Sequence, residues 1–335
     1  MRNDDAHDRR SCAPARALLL NPEAADEAHV LIPPIARVVL WMIGTLLSFS
    51  AMAVSIRELS ATLSIMEILS ARAAIGLLIV GALLAIRPEL RRALNRRRLR
   101  LHVLRNSIHF GAQYLWATSL LLLPLSTVFA LEFTMPAWTM LMATLFLEER
   151  MTPSRVGAVV LGLFGVFVIL RPGIETFHPA ALIVLAAALG YSVQNIATKQ
   201  LTTTESTFAI VFWMNVIQLP LGLLGADPWF ASRLGLHELP ALAGLGIAGL
   251  SAHYCLSNAF RAGDASLVVP LDFLRIPLIA VVGWWLYGEP LDIFVFAGAG
   301  LIILGLLWNL RSEARTAVTN RAPSPQTVLE ETGSP

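Results

Sequence analysis

Two residues of opposite charge lie close together in an otherwise apolar stretch of the chain. The heptapeptide "LDFLRIP", residues 271–277, places Asp272 and Arg275 three positions apart, a spacing at which helical side chains are neighbours and can pair. In a membrane, each charge at the bilayer centre costs roughly 2.5 to 3.5 kcal/mol, so both side chains must face protein or water. The pair either fixes the packing of its helix or binds a polar substrate, with Arg275 as the first contact. Pro270 and Pro277 flank the pair and loosen the helix there, which favours a binding site.

A second apolar stretch, residues 64–86, contains Glu67 and Arg72. At five positions apart on a helix, they point about 140° away from each other and do not pair. Glu67 lies near one end of the stretch and is assigned to the membrane interface. Arg72 lies nearer the middle and needs an acid from another helix, for which the chain offers Glu132. We therefore predict a contact between Arg72 and Glu132.

Polar side chains recur along three further apolar stretches. Three pairs of polar residues, each four positions apart, share a helix face, namely His109 and Gln113, Tyr191 and Asn195, and His253 and Ser257. A single polar residue in a span more often joins helices than binds a ligand, but polar stripes on three helices favour a shared cavity. His109 or His253 is also a candidate proton carrier, because imidazole titrates near physiological pH. The candidate substrate-binding residues are Arg72, His109, Gln113, Trp116, Glu132, Tyr191, Asn195, His253, Ser257, Asp272 and Arg275.

Two common signatures of catalytic and nucleotide-binding sites are missing from the sequence. It contains neither "HExxH" nor a "GxxxxGK" phosphate loop, the commonest short signatures of hydrolytic metal sites and nucleotide sites. Cys12 lies in a polar tail and Cys255 in an apolar stretch, so we predict no disulfide and no metal site. An integral-membrane enzyme acting on a lipid or isoprenoid substrate is the alternative interpretation. The sequence favours a protein that is not an enzyme and that has no cofactor.

Composition and block length indicate an integral membrane protein. The 335 residues are 56% hydrophobic and 14% charged, whereas soluble proteins carry about 25% charged residues. Between polar ends, ten apolar blocks are long enough to cross a bilayer as helices. They are residues 38–56, 64–86, 104–123, 125–147, 153–170, 179–198, 206–225, 239–260, 265–287 and 291–310. The predicted fold class is an all-α integral membrane protein with ten transmembrane helices.

The distribution of arginine sets the predicted orientation. With both termini cytoplasmic, 20 of the 25 Lys and Arg residues lie in cytoplasmic loops and tails, as the positive-inside rule requires. The run "RPELRRALNRRRLRLHVLR" lies between two spans, where arginines meet anionic lipid headgroups, so we predict no nucleic-acid binding. The predicted location is the bacterial cytoplasmic (inner) membrane.

The two halves of the chain resemble each other. When the sequence is shifted by 140 positions without gaps, Glu132 aligns with Asp272 and Phe133 with Phe273, while Arg275 has no charged counterpart. Because each half has five predicted spans, an odd number, the second half must be inverted relative to the first. Inverted repeats are typical of secondary transporters, whose substrate site lies near mid-membrane between the halves. The acid is therefore interpreted as architecture common to both halves, and Arg275 as the first candidate for substrate contact.

Two segments carry a resemblance to a known family. Residues 130–173, with the turn "ERMTPSRVG", resemble the end of an EamA repeat of the drug/metabolite transporter superfamily. Residues 263–306, with the block from "FLRIP" to "YGEP", resemble its second copy. The second block is similar to that of members associated with riboflavin or S-adenosylmethionine uptake. The resemblance covers residues 38–310.

This resemblance implies ten helices in two inverted five-helix units and carriage of small organic metabolites by alternating access. We therefore expect a secondary transporter of a small polar organic metabolite. The expected segments are a disordered cytoplasmic tail at 1–37, EamA repeats at 38–173 and 174–310, and a second disordered tail at 311–335. The expected partners are a small-molecule substrate and the lipid bilayer, while a coupling proton or ion and a homodimer are left open.

Overall fold

The computed structural model describes residues 33–94, 96–122, 128, 131–170, 179–288 and 293–319. All the regular structure in these ranges is helical. The α-helices are α1 (Pro34–Leu59), α2 (Ile65–Ile86), α3 (Leu99–Leu122), α4 (Met135–Leu147), α5 (Pro153–Leu170), α6 (Ala181–Thr202), α7 (Thr207–Leu223), α8 (Leu239–Ala262), α9 (Ala265–Val268), α10 (Arg275–Tyr287) and α11 (Ile293–Thr319). Short 3-10 helices form at Pro88–Ala93, Phe230–Arg233 and Val269–Leu274.

Length and composition identify the helices that can cross a membrane. Five apolar segments of the described chain are long enough, namely α1, α2, α6, α8 and the stretch Ala265–Leu286. Three further apolar helices, Met135–Leu147, Pro153–Val168 and Thr207–Leu223, are shorter. Large apolar side chains face outward, for example Leu78, which is 72% exposed. The structure supports an all-helical membrane protein, and the count of ten spans stays a prediction.

Helix packing follows the internal repeat. α1 packs against α8, and α6 packs against α3, while α2 packs against α7 and α5 against α11. If each helix is replaced by the helix five predicted spans away, the α1–α8 pair becomes the α6–α3 pair. The α2–α7 and α5–α11 pairs are each converted into themselves. The two halves therefore contact each other in a pseudo-symmetric arrangement, as the repeated sequence predicts.

The ninth predicted span, residues 265–287, is not one continuous helix. It consists of α9, the 3-10 helix Val269–Leu274 and α10. Pro270 lies in the first turn of the 3-10 helix, where its missing N–H interrupts α-helical hydrogen bonding. Asp272 lies within the 3-10 helix and Arg275 begins α10. The break therefore positions both charged residues inside the protein.

Two helices extend beyond the apolar blocks that predicted them. α3 begins at Leu99, ahead of the predicted start at residue 104, and α11 continues to Thr319, past the predicted end at residue 310. The α3 extension contains Arg100 and the α11 extension contains Arg311 and Arg315. The long stem of an arginine can pack on apolar surface while its head reaches a polar environment. Charged residues therefore mark the end of an apolar block without ending the helix.

Candidate functional site

Arg275 binds two carboxylates through one nitrogen. Its Nη2 atom lies 3.0 Å from Oδ2 of Asp272 and 3.0 Å from Oε1 of Glu132. The side chain of Glu132 is 5% exposed, that of Asp272 12% and that of Arg275 21%. The pairing of Asp272 with Arg275, expected from their spacing, is confirmed.

Both acids come from equivalent positions of the repeat. Glu132 lies in a helical turn shortly before α4, and Asp272 lies in the 3-10 helix shortly before α10. The next residues, Phe133 and Phe273, stack with ring centroids 5.8 Å apart and an interplanar angle of 26°. Aligned residues of the two halves thus meet each other, and both acids reach the same guanidinium.

Aromatic side chains surround this ion pair. Nε1 of Trp116 donates a hydrogen bond to Oε2 of Glu132 at 2.6 Å. Cζ of Arg275 lies 5.6 Å from the ring centroid of Phe49 and 5.2 Å from that of Phe133, distances at which a cation is attracted to a ring face. We define the Arg275 cluster as Phe49, Trp116, Glu132, Phe133, Asp272 and Arg275.

The predicted contact between Arg72 and Glu132 is wrong. Nη2 of Arg72 donates to Oε1 of Gln113 at 3.1 Å and to Oε1 of Gln218 at 2.5 Å. α2 packs between α7 and α8, and the stem of Arg72 lies against Gly249, where an added Cβ would come within 3.0 Å of it. This packing directs Arg72 toward the two amides, and the oxygens of Glu132 are occupied within the Arg275 cluster.

Two histidines connect the amides to the Arg275 cluster. The rings of His109 and His253 lie 4.8 Å apart between centroids, and Nδ1 of His109 lies 2.9 Å from Nε2 of Gln218. His253 lies 5.6 Å from the ring of Phe49, and Tyr191 lies 6.1 Å from His109. We define the Arg72 cluster as Arg72, His109, Gln113, Tyr191, Gln218 and His253. The two clusters are continuous through Phe49.

Several polar atoms of these clusters are buried without a hydrogen-bond partner. They include Nε and Nη1 of Arg72, both ring nitrogens of His253, Oγ of Ser257, Oδ1 of Asp272 and Nε of Arg275. Arg72 and His253 are each only 2% exposed. Buried polar groups in folded proteins are nearly always hydrogen-bonded. Unsatisfied groups that gather in one region therefore indicate a place where a ligand completes the hydrogen bonding.

Two predicted residues, Asn195 and Ser257, lie outside both clusters. Nδ2 of Asn195 contacts Sδ of Met135 in α4 at 3.6 Å, so its contact is with a packing residue of another helix. Ser257, which is 1% exposed, lies one turn beyond His253 on α8 and extends the polar face that His253 begins. The polar stripes on α3 and α8 thus meet in the Arg72 cluster. On α6, Tyr191 joins that cluster, whereas Asn195 contacts Met135.

Arg105 was not among the predicted site residues, because it was counted with the cytoplasmic loop residues. Arg105 lies in α3 and is 1% exposed. Its Nε donates to Oγ1 of Thr198 at 2.9 Å and its Nη1 donates to Oδ1 of Asn106 at 2.6 Å. The signal that could have found it is the polar stripe of α3, which continues back from His109 to His102 at helical spacing.

Gln218 and Phe49 were also not among the predicted site residues. Gln218 binds both Arg72 and His109, and Phe49 joins the two clusters. A lone amide or a lone aromatic ring in an apolar helix usually serves helix packing. Their roles depend on which helices become neighbours, which their local sequence does not specify.

At one end of the molecule, charged residues tie the two halves together. Both carboxylate oxygens of Glu149, which follows α4, accept backbone hydrogen bonds from the start of α9, including the N–H of Ser266 at 2.9 Å. Arg155 in α5 binds Asp264 at 2.9 Å and Glu313 at 2.8 Å. We define these five residues, Glu149, Arg155, Asp264, Ser266 and Glu313, as the Arg155 tie.

A second group joins the halves near the other end of α8, which begins next to Glu238 and ends shortly before Asp264. Glu67, at the start of α2, forms an ion pair with Arg233 of the segment between α7 and α8. Glu67 also completes a capping box with Ser64, so the residue assigned to the interface has defined partners. Nearby, Oγ1 of Thr62 donates to Oε1 of Glu238 at 3.2 Å. We define Thr62, Glu67, Arg233 and Glu238 as the Glu67 tie.

Comparison with known proteins gives consistent matches in sequence and fold. The model of the EamA-like transporter family matches this chain twice, at residues 36–171 and 178–311. A riboflavin transporter of Brucella anthropi is 32% identical over 239 residues, which are 68% of this chain and 82% of that protein. An S-adenosylmethionine uptake transporter of Rickettsia felis is 28% identical over 214 residues, 64% of this chain and 72% of that protein.

A solved crystal structure with 18% sequence identity has the same fold. It matches with a TM-score of 0.70 and covers 83% of this chain and 98% of its own. The repeated family match and the extent of the relatives' similarity agree with the paired helices and the aligned acids described above. This chain belongs to the EamA-like transporter family.

Proposed function

We propose that this protein is a secondary transporter that moves a small polar organic metabolite across the bacterial cytoplasmic membrane by alternating access of two inverted repeats. The observation that carries the proposal is that each interior cluster joins residues of both halves. Glu132 of the first half meets Arg275 of the second, and Arg72 of the first meets Gln218 of the second. Movement of one half against the other would open and rebuild both clusters, as alternating access requires.

The family also decides between the two classes of protein considered from the sequence. Its named relatives are transporters, so the protein is a multi-pass membrane transporter and not an enzyme acting on a lipid or isoprenoid. Ten spans, two cytoplasmic termini and repeat boundaries at 38–173 and 174–310 are parts of the proposal. The grouping of the Arg155 tie supports this topology, because all of its residues are predicted to lie on the cytoplasmic side.

The two ties supply the contacts that alternating access must break. In the proposed cycle, the Arg155 tie closes the cytoplasmic side and the Glu67 tie closes the outer side. Each tie consists of ion pairs and hydrogen bonds between the halves, which can exchange protein partners for water when that side opens. The interior clusters lie between the two ties and would be reached from one side at a time.

Proton coupling is proposed for the pair His109 and His253. Their rings are in contact within the Arg72 cluster, and imidazole is the side chain that most readily exchanges a proton near neutral pH. Uptake that depends on an imposed pH gradient, and that loses this dependence in both His109→Gln and His253→Gln, would support the assignment. A homodimer stays a prediction, which light scattering of the purified protein can test.

The relatives name two compounds for a first transport experiment, riboflavin and S-adenosylmethionine. Purified protein is reconstituted into liposomes that contain unlabelled compound, and entry of the labelled compound is followed by counterflow. A transporter accumulates label transiently above equilibrium for at least one compound in a wider metabolite panel. Entry of every compound at the rate of protein-free liposomes would contradict the proposed function.

A further inference from the structure

The Arg275 cluster contains more negative than positive charge. Glu132 and Asp272 contribute two carboxylates, and both bind the same nitrogen of Arg275. The other polar partner of Glu132 is the neutral indole N–H of Trp116, while Oδ1 of Asp272 has no partner. With all three groups ionised, the cluster has a formal charge of −1 and an unused carboxylate oxygen.

The Arg72 cluster contains the opposite imbalance. Arg72 is held by the amide oxygens of Gln113 and Gln218, which are neutral, so its positive charge has no acidic counterpart among the described residues. Its Nε and Nη1 donors are unused. Arg105 adds a second positive charge, because its hydrogen-bond acceptors are also neutral, Thr198 and Asn106.

Uncompensated charges inside a membrane protein are unfavourable unless something else completes them. Removing a charge from water costs several kcal/mol, of the order of 3 or more, when no partner offsets it. Residues that are poor for stability are commonly retained because they bind a ligand. The interior therefore offers one place that lacks an anion and one that lacks a cation, joined through His253 and Phe49.

We propose that the substrate is zwitterionic, with its anionic group held by Arg72 and its cationic group held by the unused Oδ1 of Asp272. This inference rests on the proposed transport function and names the chemical class of the substrate. An anionic group such as a carboxylate accepts the unused donors of Arg72. A cationic group, such as an ammonium or a sulfonium, balances the second carboxylate of the Arg275 cluster.

The charge imbalance predicts how substitutions change thermal stability without any substrate. Glu132→Gln leaves one carboxylate and one guanidinium, and Arg72→Gln removes an unpaired cation, so each variant should melt at or above the wild-type temperature. Glu132→Gln combined with Asp272→Asn leaves Arg275 without an acid and should melt below it. Arg155→Gln serves as the matched control, because Arg155 is buried with two acids and its loss should lower the melting temperature. A loss in both Glu132→Gln and Arg72→Gln as large as that in Arg155→Gln would overturn the proposal.

Ligand binding tests the substrate class directly. The wild-type protein is heated with compounds grouped by charge, including S-adenosylmethionine, which carries both charges, and riboflavin and 5′-methylthioadenosine, which carry neither. Binding to the folded state raises the melting temperature. For any zwitterion that stabilises the protein, we expect at least a tenfold weaker effect from its methyl ester, which lacks the anion, and from an analogue in which every cationic group, ammonium or sulfonium, is replaced by a neutral one. Arg72→Gln should abolish the difference between the acid and the ester.

The results separate this inference from the transport function. Equal stabilisation by uncharged compounds, or transport of riboflavin with no preference for zwitterions, would overturn the inference and leave the transporter intact. Stabilisation by none of the zwitterions in the panel would also contradict it. Absence of counterflow for every compound, in contrast, would contradict the transport function itself.

Discussion

Glu132 and Asp272, aligned residues of the two repeats, both accept a hydrogen bond from Nη2 of Arg275 at 3.0 Å. The single guanidinium therefore joins the first half of the chain to the second through one atom. A movement that separates the halves must take Glu132 away from Arg275, whereas Asp272 stays close because it lies three residues away in the same segment. The local pair is thus a permanent feature of the second half, and the Glu132 contact is the part that a transport cycle can change.

Removal of the guanidinium should destabilise the protein. Arg275→Gln leaves two buried carboxylates close together without a cation, and breaking a buried ion pair in this way costs about 3 kcal/mol. Thermal unfolding of the purified variant measures the loss. Leu78→Ala, at a position that is 72% exposed, is the control and should unfold like the wild type. A wild-type unfolding temperature for Arg275→Gln would show that the acids do not depend on Arg275.

The indole N–H of Trp116 should stabilise the ionised form of Glu132. Trp116→Phe keeps an aromatic ring but removes the donor to Oε2 of Glu132, for an expected loss of about 1.5 kcal/mol, since a hydrogen bond to a charged group is lost. Trp285→Phe changes an indole that is 75% exposed and should have no measurable effect. Equal unfolding temperatures for these two variants would show that the hydrogen bond from Trp116 to Glu132 does not stabilise the protein.

Gly249 should be required for the placement of Arg72. An added Cβ would lie 3.0 Å from Cγ and Cδ of Arg72, so Gly249→Ala must displace that stem. We expect the apparent substrate affinity to fall by about fivefold, which corresponds to about 1 kcal/mol. Gly81→Ala is the matched control, because a Cβ at Gly81 meets nothing within 4 Å; it should leave affinity unchanged and stabilise α2 slightly. Unchanged affinity in Gly249→Ala would contradict the role of this contact.

Loss of Glu149 should open the side of the molecule that the Arg155 tie closes. Glu149→Gln leaves one carbonyl oxygen for the three donors that the carboxylate now accepts from Ala265 and Ser266. In a background with Cys12→Ser and Cys255→Ser, a cysteine introduced by Leu267→Cys, at a position that is 6% exposed, reports the opening. We expect at least a tenfold faster reaction with a maleimide in the Glu149→Gln protein than in the reporter protein alone. Equal rates would show that the tie does not close this side.

Both termini should be cytoplasmic. The distribution of arginine predicts that alkaline phosphatase fused to the C-terminus is inactive in cells and that a fluorescent protein at the same place is bright. A phosphatase inserted between Glu58 and Ser64, in the first predicted outer loop, should be active. An active C-terminal phosphatase would contradict the cytoplasmic C-terminus and would require either the opposite orientation or an odd number of spans.

The sequence was sufficient to predict features that depend on local spacing and on the repeat. Asp272 and Arg275 pair because three residues separate them, and the shift of 140 positions correctly singled out Glu132 as the counterpart of Asp272. The flanking prolines also indicated a loosened helix, which the structure shows as a 3-10 segment. These features follow from helix geometry and from the missing N–H of proline, which act within a few residues.

Contacts between helices could not be predicted in the same way. Glu132 was predicted to contact Arg72, but it contacts Arg275. The relative height and rotation of packed helices depend on the whole interface, which local spacing does not specify. Gly249 decides where the stem of Arg72 lies, although it is distant from Arg72 in sequence. Arg105 was counted with the loop arginines although it is the second residue of the predicted span 104–123, and α3, which begins at Leu99, buries it.

Counterflow through Arg72→Gln in liposomes, at the same protein density as the wild type, tests most directly whether the interior clusters bind the substrate. We expect a folded protein, with a melting temperature no lower than that of the wild type, and a counterflow rate at least tenfold lower, since Arg72 would hold the substrate. Leu78→Ala, on the same helix and facing outward, should transport at the wild-type rate. Wild-type counterflow through Arg72→Gln would contradict the claim that the interior clusters form the substrate site.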